Sequence, residues 1–430
     1  MANKTYGFDT LQIHAGARPD PATGARQTPI YQTTAYCFRD ADHAAALFNL
    51  QEVGFIYSRL TNPTVAVLQE RVATLEGGVG AVCCSSGHAA QIMALFPLMS
   101  PGDNIVVSNR LYGGSVTQFS QTIKRFGWEA KFVDIDDKTA IEKSINRMTK
   151  AIFCETIANP GGHVADLPKL AKIANAHAIP LIVDNTTATP YLCRPIEHGA
   201  TLVVHSLTKY LTGNGTVTGG CVVDSGQFDW IAAGKHPSMI DPEPAYHGLK
   251  FADTFGPLAF TFHGIAVGLR DLGMTLNPQA AHYTLMGIET LSLRMQRHVE
   301  NAEKIAKKLE NHKLVKAVTY AGLKSSPSAK TAKKVVPHGA GALFTIQLKG
   351  GYDACVKFIN ALEIFSHVAN LGDTRSLAIH SASTTHRQLS DAQRKAAGAD
   401  NDVVRLSIGI EDADDLLADL DQALNAAHSK

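Results

Sequence analysis

The sequence predicts an α/β protein in which a largely parallel sheet, covered by helices on both faces, is followed by a smaller α+β unit. Two observations carry that expectation. From about Pro63 to Asp224 short β-branched runs alternate with stretches of helical period, and the runs are almost continuously apolar, as strands buried on both faces must be. Past Pro278 the alternation stops, and a long amphipathic helix precedes two further strands and a closing helix.

Taken in order, residues 1–62 are rich in Thr, Pro, Tyr and Gln with little helical period. They are expected to form an extended arm that needs another surface, such as a neighbouring subunit, to be ordered. "PTVAVLQERVATLEGG" is a helix with Asn62 as its cap, Pro63 in its first turn and Gly77-Gly78 at its end. Strand "AVCCSS", helix "GHAAQIMALFPLMS", strand "NIVVSN", helix "SVTQFSQTIKRFG", strand "KAIFCET", helix "DLPKLAKIANAHA" and strands "PLIVDN", "TLVVHS" and "GGCVVD" follow, giving a large domain over residues 63–278. Residues 279–430 form the small domain: helix "GIETLSLRMQRHVENAEKIAKKLENH", strands "ALFTIQLKGG" and "VVRLSIGI", and helix "DADDLLADLDQALNAAH". Between them "GLKSSPSAKTAKK" (322–334) reads as an exposed loop.

Composition narrows the function. Forty Lys and Arg nearly cancel 39 Asp and Glu over 430 residues, so there is no basic footprint for nucleic acid or an acidic membrane, and a small-molecule partner is expected. Seven cysteines, mostly inside apolar runs and without a C-x-x-C pair, read as reduced buried thiols. "MANKTYGFDT" has neither a signal-peptide core nor an Arg-rich leader, and no apolar run is long enough for a membrane span, so the expected compartment is the cytoplasm. No metal is expected.

Ligands of open α/β sheets sit beyond the carboxyl ends of the strands, so polar residues ending apolar runs are the first site candidates. "IPLIVDNT" delivers Asp184, and "TLVVHSLTK" delivers Ser206, Thr208 and Lys209. Pyridoxal 5'-phosphate (PLP) uses both: a lysine amine captures its aldehyde and a carboxylate keeps its ring nitrogen protonated. Ser206 and Thr208 then donate to its phosphate, helped by the strand-to-helix turn at Ser86-Gly87-His88, which presents backbone N–H groups at the positive end of a helix dipole. A lysine capping a strand end, with Asp184 in a surface ion pair, is an equally good reading of the spacing alone. No nucleotide-binding glycine motif is present. Tyr57 and Arg59 in "YSRLTNPT" suit an anion clamp, which reaches a neighbour's phosphate if the arm leaves its own subunit. Tyr112, after a strand end, suits ring stacking and acid–base work, and Arg405 in "VVRLSIGI" suits a bidentate grip on a carboxylate. A local carboxylate partner for Arg59, a packing role for Tyr112 and a solvated strand face for Arg405 stay open at this level.

Taken together, "YSRLTNPT", "SSGHAA", "ETIANPGG", "VDNTTATPY", "VVHSLTKYLTGNG" and "VVRLSIGIED" resemble, in order and over nearly the whole chain, the Cys/Met-metabolism family of PLP-dependent enzymes. "DTLQIHAGARPDPATGARQTPIYQTTAYCF", "AYHGLKFADTFGPLAF", "LRDLGMTLNP" and "NLGDTRSLAIHSASTTHRQLS" are similar to its O-acetylhomoserine sulfhydrylase branch. The resemblance implies the fold type I architecture, with a mostly parallel seven-stranded sheet and a smaller C-terminal domain, and replacement of acetate on O-acetylhomoserine by sulfide to give homocysteine. It implies Lys209 as the lysine that captures PLP, Asp184 as the ring-nitrogen partner, Tyr112 as the stacking residue, and Gly87, His88, Ser206 and Thr208 as phosphate binders. By the same resemblance Tyr57 and Arg59 come from the adjoining subunit of a homotetramer built as paired dimers, Asn159 meets the cofactor's hydroxyl or the substrate carboxylate, and Arg405 holds that carboxylate. Ser366 and Ser376 receive no role. The alternative activity is that of a methionine γ-lyase or a cystathionine γ-synthase. Gly114 stands where γ-lyases of the family carry cysteine, which argues against the first of these. Ser381 stands where the sulfhydrylase branch has proline, which puts the shape of that loop in doubt.

Overall fold

The computed structural model describes residues 6–429. Seven strands form the main sheet: β1 (Gly80–Cys84), β2 (Asn104–Ser108), β3 (Glu129–Val133), β4 (Thr149–Glu155), β5 (Leu181–Asp184), β6 (Leu202–Ser206) and β7 (Gly220–Asp224), in the order β1-β7-β6-β5-β4-β2-β3. The pairs from β3 through β6 are parallel, while β7 runs antiparallel to both β6 and β1. This is the mostly parallel seven-stranded sheet the family resemblance implies. Successive strand residues enter opposite cores, Val203 one and Val204 the other, which explains the unbroken apolar runs.

A second sheet follows: β8 (Val315–Thr319), β9 (Leu343–Leu348), β10 (Ser366–His367), β11 (Leu377–Ile379) and β12 (Val403–Ser407), ordered β10-β11-β12-β9-β8 and antiparallel except for β10–β11. One hydrophobic cluster joins it to the first sheet, with Val183 and Val203 in the same core as Met295 and Phe344.

The helix Pro63–Glu76 begins and ends as its sequence dictates. The Asn62 side chain accepts the Thr64 and Val65 N–H groups, and Gly77 takes the left-handed conformation at its end. Four expectations need correction. The long helix starts at Leu291 and runs to Glu310, while Gly287 and Ile288 end a separate helix, Pro278–Ile288, across a break at Glu289-Thr290. The loop at 322–334 contains most of a helix, Ala329–Val335. Cys37 is exposed, unlike the other six cysteines.

The arm, finally, is not extended throughout. It holds helices Phe8–His14 and Ala41–Phe48, and its first part docks on its own chain. Gln12 bonds Ser292 through both its amide nitrogen (2.9 Å) and oxygen (3.1 Å), and the buried Arg71 guanidinium takes the Gln12 and Ala15 carbonyls. The second part exposes apolar surface, with Phe48 59% and Val53 83% exposed.

Four buried histidines make the fold acid-labile. Burial pushes His236, His263, His298 and His386 down to about 4 each, so the folded chain keeps them neutral where the unfolded chain protonates them. Their contribution is complete above about pH 6.5 and is lost as the pH falls towards 4, each histidine costing about 1.4 kcal/mol per pH unit in that window. Melting temperatures measured from pH 7.5 to 5 should fall steeply below pH 6.5; a flat profile would contradict this.

Candidate active site

At the carboxyl ends of β4, β5 and β6 lies a cavity of about 220 Å³. Lys209, Tyr112, Gly87, His88, Asn159, Asp184, Ser206, Thr208 and Arg405 all line it, which places it where the strand-end rule puts ligands.

The Lys209 amine donates to Asn370 Oδ1 at 2.6 Å, so it is not in a surface ion pair with Asp184. Burial, reinforced by the Arg405 charge, lowers it to about 8, so close to neutral pH part of it is the free, nucleophilic amine. Asp184, the last residue of β5, accepts the Thr186 N–H (3.0 Å) and the Gln91 side-chain amide (3.3 Å). Beside it in register on β4, Glu155 accepts the backbone N–H groups of Tyr112 and Asn159, both at 2.8 Å. Burial and then the Asp184 charge hold the Glu155 carboxyl well above the usual range.

The N-terminus of the helix Gly87–Leu95 lines another side of the cavity. Ser86 caps it by accepting the Ala89 N–H, which leaves the Gly87 and His88 N–H groups without an intrahelical acceptor at the positive end of the dipole. Position 87 must be glycine, because a Cβ there would lie 2.7 Å from Ser206 Cβ. Thr208 Oγ1 accepts the Gly219 N–H at 3.1 Å, and Ser206 stands beside it on the cavity wall.

The Tyr112 ring meets His88 edge to face, with centroids 5.9 Å apart. A Cβ on residue 114 would lie 2.6 Å from Tyr112 Cε1 and 3.0 Å from His88 Cε1, so Gly114 lets the two rings close up and a cysteine there would displace them. Arg405 is 3% exposed, which rules out the solvated strand face. Its Nη1 donates to Asn159 Oδ1 (3.1 Å), its Nη2 to the Asn370 carbonyl (2.6 Å), and its Nε has no partner among the described residues. Burial lowers it to about 10, leaving it charged at neutral pH. Ser381, whose hydroxyl has no partner among the described residues, opens a short buried turn, and the same loop carries Thr385 into the cavity wall.

Tyr57 and Arg59 are not brought to this cavity. Tyr57 is exposed, the Arg59 guanidinium lies 5.5 Å from its ring centroid, and Arg59 donates to the Arg270 carbonyl instead of a local carboxylate. Sequence reasoning missed Glu155, Gln91 and Asn370. Glu155 ends the strand "KAIFCET", so the rule that found Asp184 covers it, and Gln91 is a lone amide in an apolar helix. Asn370, in "VANLGDT", carries no local signal.

The residues present fit PLP on observations independent of any relative. A buried amine with a lowered proton affinity, a carboxylate, a helix N-terminus with free N–H groups, and the unpartnered Gln91 Oε1 and Arg405 Nε share one cavity wall. Such a wall defines an enzyme that holds an anionic aldehyde cofactor. The Cys/Met metabolism PLP-dependent enzyme model matches residues 9–425, and the chain belongs to that family. It is 48% identical to a homocysteine synthase of Schizosaccharomyces pombe, over 99% of this chain and 100% of that one. It is likewise 48% identical to O-acetyl-L-homoserine sulfhydrylase 1 of Thermus thermophilus, over 97% and 99% respectively. A crystal structure named for an O-acetylhomoserine (thiol)-lyase of Campylobacter jejuni, carrying pyridoxyl-lysine phosphate, superposes with a TM-score of 0.95 at 43% identity, covering 98% of this chain and 100% of that one. Among the described residues no helix is long and apolar enough to cross a membrane.

Proposed function

We propose that this enzyme replaces the acetate of O-acetylhomoserine with sulfide, forming homocysteine. The observation that carries the reading is the pairing, in one cavity, of the Lys209 amine with the buried Arg405 guanidinium through Asn370, whose side chain takes the first and whose carbonyl takes the second. An amine-capturing centre and a carboxylate grip at fixed separation are what an amino-acid substrate requires. The names of the relatives above supply the ester and the sulfur nucleophile.

PLP, when bound, supplies an aldehyde that captures amines and a ring that spreads negative charge from the substrate's α-carbon. The Gly87 and His88 N–H groups and the Ser206 and Thr208 hydroxyls would bind the phosphate. Asp184 would hold the proton on the ring nitrogen, and Tyr112 would stack on the ring. Arg405, steadied by Asn159, grips the substrate α-carboxylate. Lys209 Nζ would take the α-proton, a β-proton would then be lost so that acetate can leave the γ-carbon with Tyr112 assisting the departing oxygen, and both protons would be returned once sulfide has added at the γ-carbon. Residues 63–278 carry the cofactor side of the site and residues 279–430 bring Asn370 and Arg405 to it. PLP-loaded protein given O-acetylhomoserine and sulfide should yield homocysteine and acetate one for one; absence of homocysteine overturns the reading. The O-succinyl ester, O-acetylserine, and cysteine in place of sulfide define the ester and donor range.

We also infer that the arm completes a neighbour's site in a homotetramer of paired dimers. The exposed apolar residues of its second part and the location of Tyr57 and Arg59 outside their own chain's cavity support this. Arg59→Ala is then expected to weaken PLP retention on dialysis by roughly tenfold or more, the cost of losing a charge-assisted phosphate contact. Retention equal to wild type would sink the shared site.

A further inference from the structure

Beneath the cavity, on the far side of the strand ends, lies a buried polar cluster that none of the roles above uses. Glu76, the last residue of the helix Pro63–Glu76, has its side chain fully buried, as has His205 on β6, and Glu76 Oε1 contacts His205 Nε2 at 2.6 Å. The same oxygen accepts Asn185 Nδ2 at 2.8 Å, and Asn185 Oδ1 accepts the Thr156 hydroxyl at 2.7 Å. Asn185 Nδ2 also donates to the Cys193 carbonyl at 2.8 Å, so both its hydrogens are used. Thr156, Asn185 and His205 are all buried and each is the chain neighbour of a cavity residue: Glu155, Asp184 and Ser206. Alternate residues of an extended chain point to opposite faces, so each strand end sends one side chain up into the cavity and the adjacent one down to this cluster.

We propose that Glu76 and His205 are positioning residues, a buried pair that pins the ends of β4, β5 and β6 in the relative height and twist that aims Asp184 and Ser206 at the cofactor and Glu155 at the Tyr112 and Asn159 backbone. The inference rests on the PLP reading of the cavity. A carboxylate at the C-terminal end of a helix faces the unfavourable pole of the dipole, and here it is also cut off from water, with Glu76 Oε2 and His205 Nδ1 left without partners among the described residues. Buried pairs of this kind add little stability over apolar residues of the same shape, so stability alone does not account for placing one here. What it supplies is direction. One oxygen gathers β5 and β6 at a single point, and Asn185 extends the tie to the end of β4, where apolar packing would tolerate sliding.

Two variants separate positioning from mere structure. His205→Leu leaves an uncompensated buried carboxylate and is expected to lower the melting temperature of the cofactor-free protein; His205→Leu with Glu76→Gln removes that charge and should recover most of it. PLP affinity, measured by equilibrium dialysis and by the visible absorption of the bound cofactor, is expected to stay roughly tenfold or more below wild type in the double variant, with an altered absorption band. A double variant that regains both stability and wild-type PLP affinity overturns the proposal, as does a folded His205→Leu that binds PLP like wild type. Wild-type protein that fails to take up PLP in the parallel control indicts the cofactor reading instead.

Discussion

Lys209→Ala is expected to abolish homocysteine formation, lowering turnover by a factor on the order of 10⁴ or more, while the protein folds and melts normally. The effect is large because, in the function proposed above, this one amine would serve both as the group that captures the cofactor aldehyde and as the base at the α-carbon. The fold survives because, among the described residues, the side chain bonds Asn370 alone, and burial already disfavours its charged form. Circular dichroism and a thermal melt report the fold, and a homocysteine assay reports turnover. A variant that turns over within tenfold of wild type would remove Lys209 from the chemistry.

Asp184→Asn is expected to cost at least about a hundredfold in kcat with a smaller change in KM, because the ring accepts negative charge well only while its nitrogen is protonated, and a neutral amide does not hold that proton. The substitution is nearly isosteric and keeps an oxygen to accept the Thr186 N–H. Its side effect is also defined. Asp184 is the charge that, after burial, raises the Glu155 carboxyl, so removing it should let Glu155 titrate lower. Unchanged turnover would reject the role of Asp184.

Much of this site was legible because its residues sit at the ends of strands whose apolar runs are unmistakable: Asp184 closes "PLIVD" and Ser206 closes "TLVVHS". The same regularity located six of the seven main strands. The one missed, β3, lies at the sheet edge and is only half-buried, so "EAKFV" alternates charged and apolar residues and carries no buried-strand signal. β7 was located but its direction was not, since an apolar run reads alike either way. The helix break at Glu289-Thr290 is invisible to periodicity because amphipathic residues flank it on both sides, and the arm's helices are too short to set a period.

Long-range contacts were the other blind spot. Asn370 reaches Lys209 from a loop 161 residues away, and Arg405 is oriented by Asn159 from 246 residues away. Local patterns report which face a residue takes, and the partner it meets there is a property of the fold. Arg405 shows the difference: strand alternation turned it correctly away from Val404 and Leu406, yet only packing reveals that this other face is the cavity wall.

The most direct test of the central claim is to load the protein with PLP, reduce it with borohydride, digest it and weigh the peptides. The cofactor mass should appear on the peptide containing Lys209 and on no other. Label on a different lysine, or on none, would contradict a site built around this amine.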